Sequence, residues 1–202
     1  MTLGECMRRA GELVFSYSVA GSEIPLSYNN QADYVSMIPG LVNQAEIDIA
    51  TTAKRIYADV PVSELEKVTV NNETRYKLPD DCWMPLTSGL RINAGHGRSG
   101  RYDRFRLLGG KYLIVPESME DRLTLEYWRY PARVSESTDM QEELDNTPDT
   151  HEAVVFYVAA HLLMYDDTYR YALLENEYEL KKSRLKEPVW VEQDAIWNRY
   201  ET

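Results

Sequence analysis

The sequence predicts an α+β protein, mainly an α-helical bundle with an antiparallel β domain inserted between its second and third helices. Three observations predict it. Apolar residues recur at helical spacing near both ends of the chain, and the middle alternates with period two between turn dipeptides. The segment from Ala153 to Tyr165 is apolar on nearly every side except at His161. A helix apolar all round must be enclosed by other helices, so the two ends of the chain close one core.

The first helix spans Thr2 to Tyr17, with Leu3, Met7, Ala10, Leu13 and Val14 at helical spacing, and a polar loop follows from Gly21 to Asn30. A second helical pattern runs from about Ala32 to Ile56, with Val35, Ile38, Val42, Ala45, Ile49 and Ala53 on one side. Pro39 interrupts it, so the regular part is expected to begin there with proline in its first turn. Lys67–Val70 and Thr74–Leu78 flank Asn71-Asn72, a residue pair that tolerates the left-handed backbone of a tight hairpin. Tyr102–Leu108 and Lys111–Val115 surround Gly109-Gly110, and Arg122–Trp128 alternates Leu123, Leu125 and Tyr127 against Arg122, Thr124 and Glu126. Short strands in succession predict an antiparallel sheet or small sandwich.

Helices return after an acidic stretch. Thr147-Pro148-Asp149-Thr150 supplies a hydroxyl cap, a first-turn proline and acids near the positive end of the dipole. Asp166-Asp167 ends that helix, and a last one carries Tyr171, Leu174, Tyr178 and Leu185 as far as Pro188. The expected boundaries are residues 1–57 with 147–187 for the bundle, 58–134 for the β domain, 135–146 for an acidic linker and 188–202 for a C-terminal tail.

A chain of 202 residues buries a substantial core. Its formal charge of −11 and pI near 4.8 argue against general binding to nucleic acid or a membrane surface, whose phosphates would meet like charge. No run of about 18 apolar residues occurs, and the N-terminal segment lacks a signal-type apolar core. The expectation is a protein made in a cytoplasm that stays there or leaves by lysis. Cys6 and Cys82 stand far apart without a C-x-x-C partner and read as reduced, ordinary thiols. Asn72-Glu73-Thr74 fits a glycosylation sequon, but on this expectation it reads as a turn.

Two motif fragments invite chemistry and do not sustain it. His151-Glu152 with His161 carries part of a zinc-protease spacing, yet the place for a second ligand one turn on holds Val155, and the place for a turning glycine holds Val158. On a helix His151 and His161 lie roughly 80° and about 15 Å apart, too far to share a metal. Gly95-His-Gly-Arg-Ser-Gly100 matches a dinucleotide fingerprint by letter, but a strand-like segment follows where a helix N-terminus should receive the pyrophosphate. It reads as a loop tip. His96, His151 and His161 fall in a loop, a helix start and an apolar helix, so no nucleophile with its base is nominated. No catalytic residue, metal or cofactor is expected.

The layout resembles the head-to-tail connector, or neck adaptor, proteins of tailed bacteriophages, among them podophage tail tubular protein A. Three stretches carry the likeness: Asp33 to Ala50 (DYVSMIPGLVNQAEIDIA), Leu123 to Pro131 (LTLEYWRYP), and an ending from Thr147-Pro148 through HLLMYDD at His161–Asp167 to Glu175-Asn-Glu-Tyr178. The resemblance implies a structural virion protein of the neck, assembled in the host cytoplasm. It further implies a homo-oligomeric ring of twelve copies under the portal protein, continuing the DNA channel and offering a surface to the next tail or neck protein. DNA would pass transiently, without sequence-specific binding and without a membrane partner. The ending past Pro188 would dock on the portal through Trp190, Ile196, Trp197 and Tyr200, whose exposure to water costs about 25 cal/mol per Å² of apolar area. Folding back on the chain's own bundle is the competing use of that tail.

Charge bears on a conduit. Between Arg133 and Arg170 there is no lysine or arginine, while Glu136, Asp139, Glu142, Glu143, Asp145, Asp149, Glu152, Asp166 and Asp167 are acidic. Facing a lumen, the set Glu136, Asp139, Glu142, Glu143 and Asp145 would repel phosphates over roughly 8 to 10 Å; a solvated linker with helix-capping acids is the plainer alternative. The basic residues Arg91, Arg98, Arg101, Arg104, Arg106 and Lys111 have no counterpart in the resemblance. Arg98, Arg101, Arg104 and Arg106 are assigned to a neighbouring subunit or the next tail protein, against a solvated strand face or DNA. Other functions remain in view: a tail-associated hydrolase of envelope or capsule, which needs a reactive cleft, and a tail-completion or capsid-decorating protein.

Overall fold

The structure is a computed structural model describing residues 1–15, 28–71, 73–86, 90–93 and 99–185; of Phe15, residues 28–33, Asn93 and Ser99 only the backbone is described. The chain divides into two compact units, Met1–Lys54 with Arg133–Thr202, and Arg55–Ala132. Among the described residues the first is helical and the second is β-stranded, apart from short 3₁₀ turns.

The helical unit contains α1 (Leu3–Phe15), α2 (Tyr28–Thr52), α3 (His151–Leu163) and α4 (Thr168–Leu185). α3 packs against each of the other three. Its buried residues run right round the helix, from His151, Ala153, Val154 and Val155 to Leu162 and Leu163, leaving only Glu152 fully exposed. Leu3, Ala10 and Val14 of α1 and Ile38, Val42, Ala45, Ile49 and Ala53 of α2 join the same core. Cys6 is also fully buried, and burial first, with the nearby Glu46 charge, pushes its thiol up to about 12. It is an inert core residue.

α2 departs from expectation. It does not begin at Pro39 but runs through it from Tyr28, and Val35 is exposed rather than on the apolar side. A proline inside a helix forfeits one hydrogen bond and crowds the carbonyl four residues back, at a cost of about 3 kcal/mol. Anchors on both sides hold the helix together: the Tyr34 hydroxyl donates to Asp166, and Ile38, Leu41 and Val42 are buried. The start of α3 also differs. Thr147 donates its hydroxyl to Asp149 at 2.6 Å instead of capping an amide, and a 3₁₀ turn at Pro148–Thr150 leads into the helix. Asp167 does cap: its side chain accepts from the Arg170 amide at 3.0 Å, and its carbonyl accepts from the Tyr171 amide at 2.9 Å.

Among the described residues nine strands build the β unit: β1 (Ile56–Pro61), β2 (Lys67–Val70), β3 (Glu73–Lys77), β4 (Cys82–Pro85), β5 (Leu90–Asn93), β6 (Ser99–Tyr102), β7 (Arg106–Leu108), β8 (Tyr112–Ile114) and β9 (Leu123–Arg129). Every pairing is antiparallel. One sheet has the order β1-β9-β5-β6, with β4 also on β9; the other has β2-β3-β8-β7. Tyr76, Leu78, Leu113 and Val115 from one sheet share a core with Leu90, Leu123, Leu125 and Tyr127 from the other, which makes a small sandwich.

The β2–β3 hairpin turns at Asn71, whose φ of 51° is the left-handed conformation that asparagine accepts. The β7–β8 turn puts positive φ at both Gly109 (60°) and Gly110 (66°), with the Lys111 amide bonded to the Leu108 carbonyl. β1 escapes sequence reading because Ile56 extends the helical series Ile49, Ala53. The segment expected as one strand from Tyr102 to Leu108 is instead split into the ends of β6 and β7. Among the described residues no helix is long and apolar enough to cross a membrane.

Charge is divided unevenly. The helical unit holds ten lysines and arginines against twenty-two acids, whereas the β unit holds twelve against eleven. The net negative charge thus lies on the helical unit, mostly outside its helices.

Candidate functional site

The acidic segment 135–146 is built into the helical unit. The Leu3 and Gly4 amides, which as first-turn donors of α1 have no intrahelical acceptor, bond the Glu142 and Met140 carbonyls at 2.9 Å each. The Leu144 amide returns a bond to the Met1 carbonyl at 3.0 Å. The approach is close enough to favour glycine: a Cβ on Gly4 would stand 3.0 Å from the Met140 carbonyl oxygen, which would have to give way by a few tenths of an ångström. At the entry, the Asn43 side chain accepts from the Val134 amide at 2.9 Å and donates to its carbonyl at 2.7 Å. Asp139 closes a turn by accepting from the Gln141 amide at 2.9 Å.

This clamping leaves Glu136, Asp139, Glu142 and Glu143 exposed and Asp145 half-buried. The other acids of the cation-free stretch are used inside the unit. Asp149 pairs with Lys54 at 2.5 Å, and Glu152 with Lys181 at 2.7 Å and Arg9 at 3.3 Å.

The exit of the segment rests on a buried polar chain. Asn146 donates its amide to Glu46 Oε1 at 3.4 Å and its side chain to the Glu46 carbonyl at 3.2 Å. Its own carbonyl accepts from His151 Nε2 at 2.9 Å. Glu46 is fully buried, and among the described residues its Oε2 has no hydrogen-bond partner. Burial, helped by the Asp145 charge and opposed by the Asn146 amide, pushes its carboxyl up to about 7. Burial likewise holds the His151 imidazole below its ordinary range, so it sits neutral in that chain.

His161 is engaged elsewhere. Its Nδ1 donates to the Tyr157 carbonyl at 3.0 Å, and its ring stacks on Tyr157 at 3.9 Å. Among the described residues no group of three His, Cys, Asp or Glu side chains is placed to hold a metal ion.

In the β unit, the face of β9 turned away from the sandwich core carries Glu126. Strand alternation alone places it on a solvated face, yet it is buried, with side chains from β1, β5 and β6 gathered on it. Tyr57 donates to it at 2.8 Å, Arg101 pairs with it directly, and Arg91 lies 3.8 Å away while also pairing with Asp59. Burial opposes ionisation of Glu126, but these donors overcome it and hold the carboxyl below the usual range. Beside this network the Arg55 guanidinium lies over Trp83 at 5.7 Å and Trp128 at 5.6 Å.

The basic residues therefore separate. Arg91 and Arg101 are spent on Glu126 and Asp59, and Arg106 pairs with Glu73 at 2.5 Å. Arg104 and Lys111 are exposed, without an ion-pair partner among the described residues. Arg98 and His96 lie outside the described residues, as do Trp190, Ile196, Trp197 and Tyr200. Sequence reading missed Glu46 and Glu126; the only signal for either is an acid within the apolar series of a helix or strand.

The profile of a family described as SU10 adaptor protein matches residues 1–199. No curated protein matches the chain. The family match carries the resemblance to head-to-tail adaptors and does not extend to podophage tail tubular protein A.

The two buried carboxylates respond oppositely to pH. Because the Glu46 pKa rises from 4.5 to about 7 on folding, its favourable neutral form persists below 4.5 and is lost as pH climbs to 7. The stability gap between wild type and Glu46→Gln, from urea denaturation, should shift against wild type by roughly 2–3 kcal/mol over that window. A gap independent of pH refutes the assignment. For Glu126 the folded pKa is depressed, so its contribution is present above the unfolded value and vanishes as acid reaches the folded one. Glu126→Gln should cost about 1–2 kcal/mol at pH 7, with the deficit shrinking as pH falls below the unfolded carboxyl's range; a deficit that grows on acidification contradicts the ion-pair account.

Proposed function

This chain belongs to the SU10 adaptor protein family, a family of phage structural proteins, and on that premise we propose that it forms a ring of twelve copies between portal and tail that continues the DNA channel. The observation that carries the reading is the family match across residues 1–199. Physics supports it in three ways. Clusters in both units are filled by packed apolar side chains, and the buried Asn146, His151 and Glu126 are tied up in structural bonds. The segment 135–146 is clamped by backbone and side-chain hydrogen bonds that leave its acids outward, as a fixed rather than a swinging charge. The helical unit holds more than twice as many acids as bases, which suits a surface past which DNA slides without being held.

In this reading Glu136, Asp139, Glu142, Glu143 and Asp145 face the lumen, and Trp190, Ile196, Trp197 and Tyr200 dock on the portal. The protein joins the virion neck after assembly in the host cytoplasm, and its far side receives the next tail or neck protein.

Truncation after Glu187 tests the docking. Negative-stain microscopy of portal mixed with the full chain should show an added ring, and the truncated chain should leave the portal bare while melting within a few degrees of wild type. Lost stability with portal binding intact would reject the portal-docking role of the tail. Replacing Glu136, Asp139, Glu142 and Glu143 together with glutamine should leave rings intact and raise their affinity for double-stranded DNA at least about tenfold at low salt. Unchanged DNA affinity removes these residues from the lumen.

A further inference from the structure

A carboxylate shut away from water is costly to ionise unless a cation or several donors meet it. Glu46 is 0% exposed, and among the described residues its Oε2 meets no donor. From α1 it is faced by Cys6, from the acidic segment by Asp145, and from α3, by way of Asn146, by His151. Cys6, its thiol pushed up to about 12, brings no charge. The Met1 amine lies against His151 Nδ1 at 3.1 Å. Arg9 of α1, Lys54 after α2 and Lys182 of α4 are directed instead to Glu152 at 3.3 Å, Asp149 at 2.5 Å and Asp48 at 2.9 Å.

A charge on Glu46 therefore has to bring water to Oε2, and the chain covering it has to give way. Helices α2 and α3 carry the apolar core between them and cannot part without unfolding the unit. The cover supplied by the segment is lighter. Residues 135–146 form no helix, and only Leu144 and Asn146 among them are buried. The segment is held to α1 by the Leu3, Gly4 and Leu144 amide bonds and to α2 by Asn146 on Glu46. Ionised Glu46 would also stand beside Asp145, in a stretch with four further acids and no lysine or arginine, so repulsion pushes the segment outward.

We propose that Glu46 is a proton-operated latch on the acidic segment: protonated, it holds the exit at Asn146 in the bundle, and ionised, it lets residues 135–146 lift together with the first turn of α1 while α2, α3 and α4 stay packed. Lifting takes the acceptors from the Leu3 and Gly4 amides, so α1 frays from the same end. The segment stays closed at rest, and the proton sets how readily it opens. What changes is the mobility of Glu136, Asp139, Glu142 and Glu143, not their number. The latch works within one copy and stands apart from the ring reading.

The direction with pH follows from the two states. Glu46 titrates at about 7 when covered and at 4.5 when open to water. The closed form is fully favoured below 4.5, loses ground as pH rises to 7, and changes no further above it.

Residue-resolved hydrogen exchange by NMR on the full chain reads the opening. The reporters are the Leu3, Gly4, Leu144 and Asn146 amides, set against Val154 and Val158 in α3. Corrected for intrinsic rates, reporter protection in wild type should lie below that of α3, fall roughly a hundredfold from pH 4.5 to 7, and then level off. In Glu46→Gln it should vary less than about threefold over that window. Wild-type reporters as indifferent to pH as those of the variant overturn the latch. Protection equal to that of α3 at every pH overturns it too, because Glu46 then meets water only on global unfolding. If Glu46→Gln does not fold, wild type alone decides: a fall across the window with the gap to α3 kept supports the latch, and the absence of either rejects it.

Discussion

The constraint on which the rest depends is a helix without a polar side. α3 is a thirteen-residue segment with one fully exposed residue, and such a helix is stable only when enclosed by others. α4 follows it directly, but α1 and α2 come from the far end of the chain, so about 80 residues between them must leave the core and return. The β unit occupies that excursion and keeps an independent core between its own two sheets. Covering α3 therefore determines the insertion architecture.

The same demand shapes the acidic segment. A return path with many carboxylates would usually be a loose, solvated stretch. Here the unpaired first-turn amides of α1 need acceptors, and the segment's carbonyls supply them. Backbone satisfaction holds the chain in place while the side chains stay in water, which is how a strongly charged surface becomes a fixed one. Asn43, Asn146 and Gly4 each answer a particular requirement there: two paired backbone groups, a bridge between Glu46 and His151, and room for the Met140 carbonyl.

Two buried glutamates show how environment divides one chemistry. Glu46 has backbone amides but no cation beside it, and among the described residues its Oε2 has no hydrogen-bond partner, so in its buried setting it favours its proton. Glu126 has a tyrosine and two arginines, so it favours its charge. The first suits the apolar interior of the bundle. The second ties β1, β5, β6 and β9 together across one face of a sheet and removes Arg91 and Arg101 from the surface available to a partner.

By itself the sequence determined the α+β class, the order of helices around an inserted β region, the hairpins at Asn71 and Gly109-Gly110, and most of the apolar faces of α1, α2 and α3. Each is set by spacing or by the conformational freedom of one or two residues, and both are local. The tertiary structure decided what depends on distant neighbours. Helix α2 crosses Pro39 because anchors on either side outweigh one lost bond. β1 is a strand because β9 offers it a partner, although its first residue continues a helical series. Glu126 is buried where side chains from β1, β5 and β6 gather on it, and Arg91 and Arg101 become spent only when their acidic partners arrive from other strands. Periodicity reports which face of an element is apolar; burial and pairing of a charge are properties of what packs against that face, and only the fold brings those groups together.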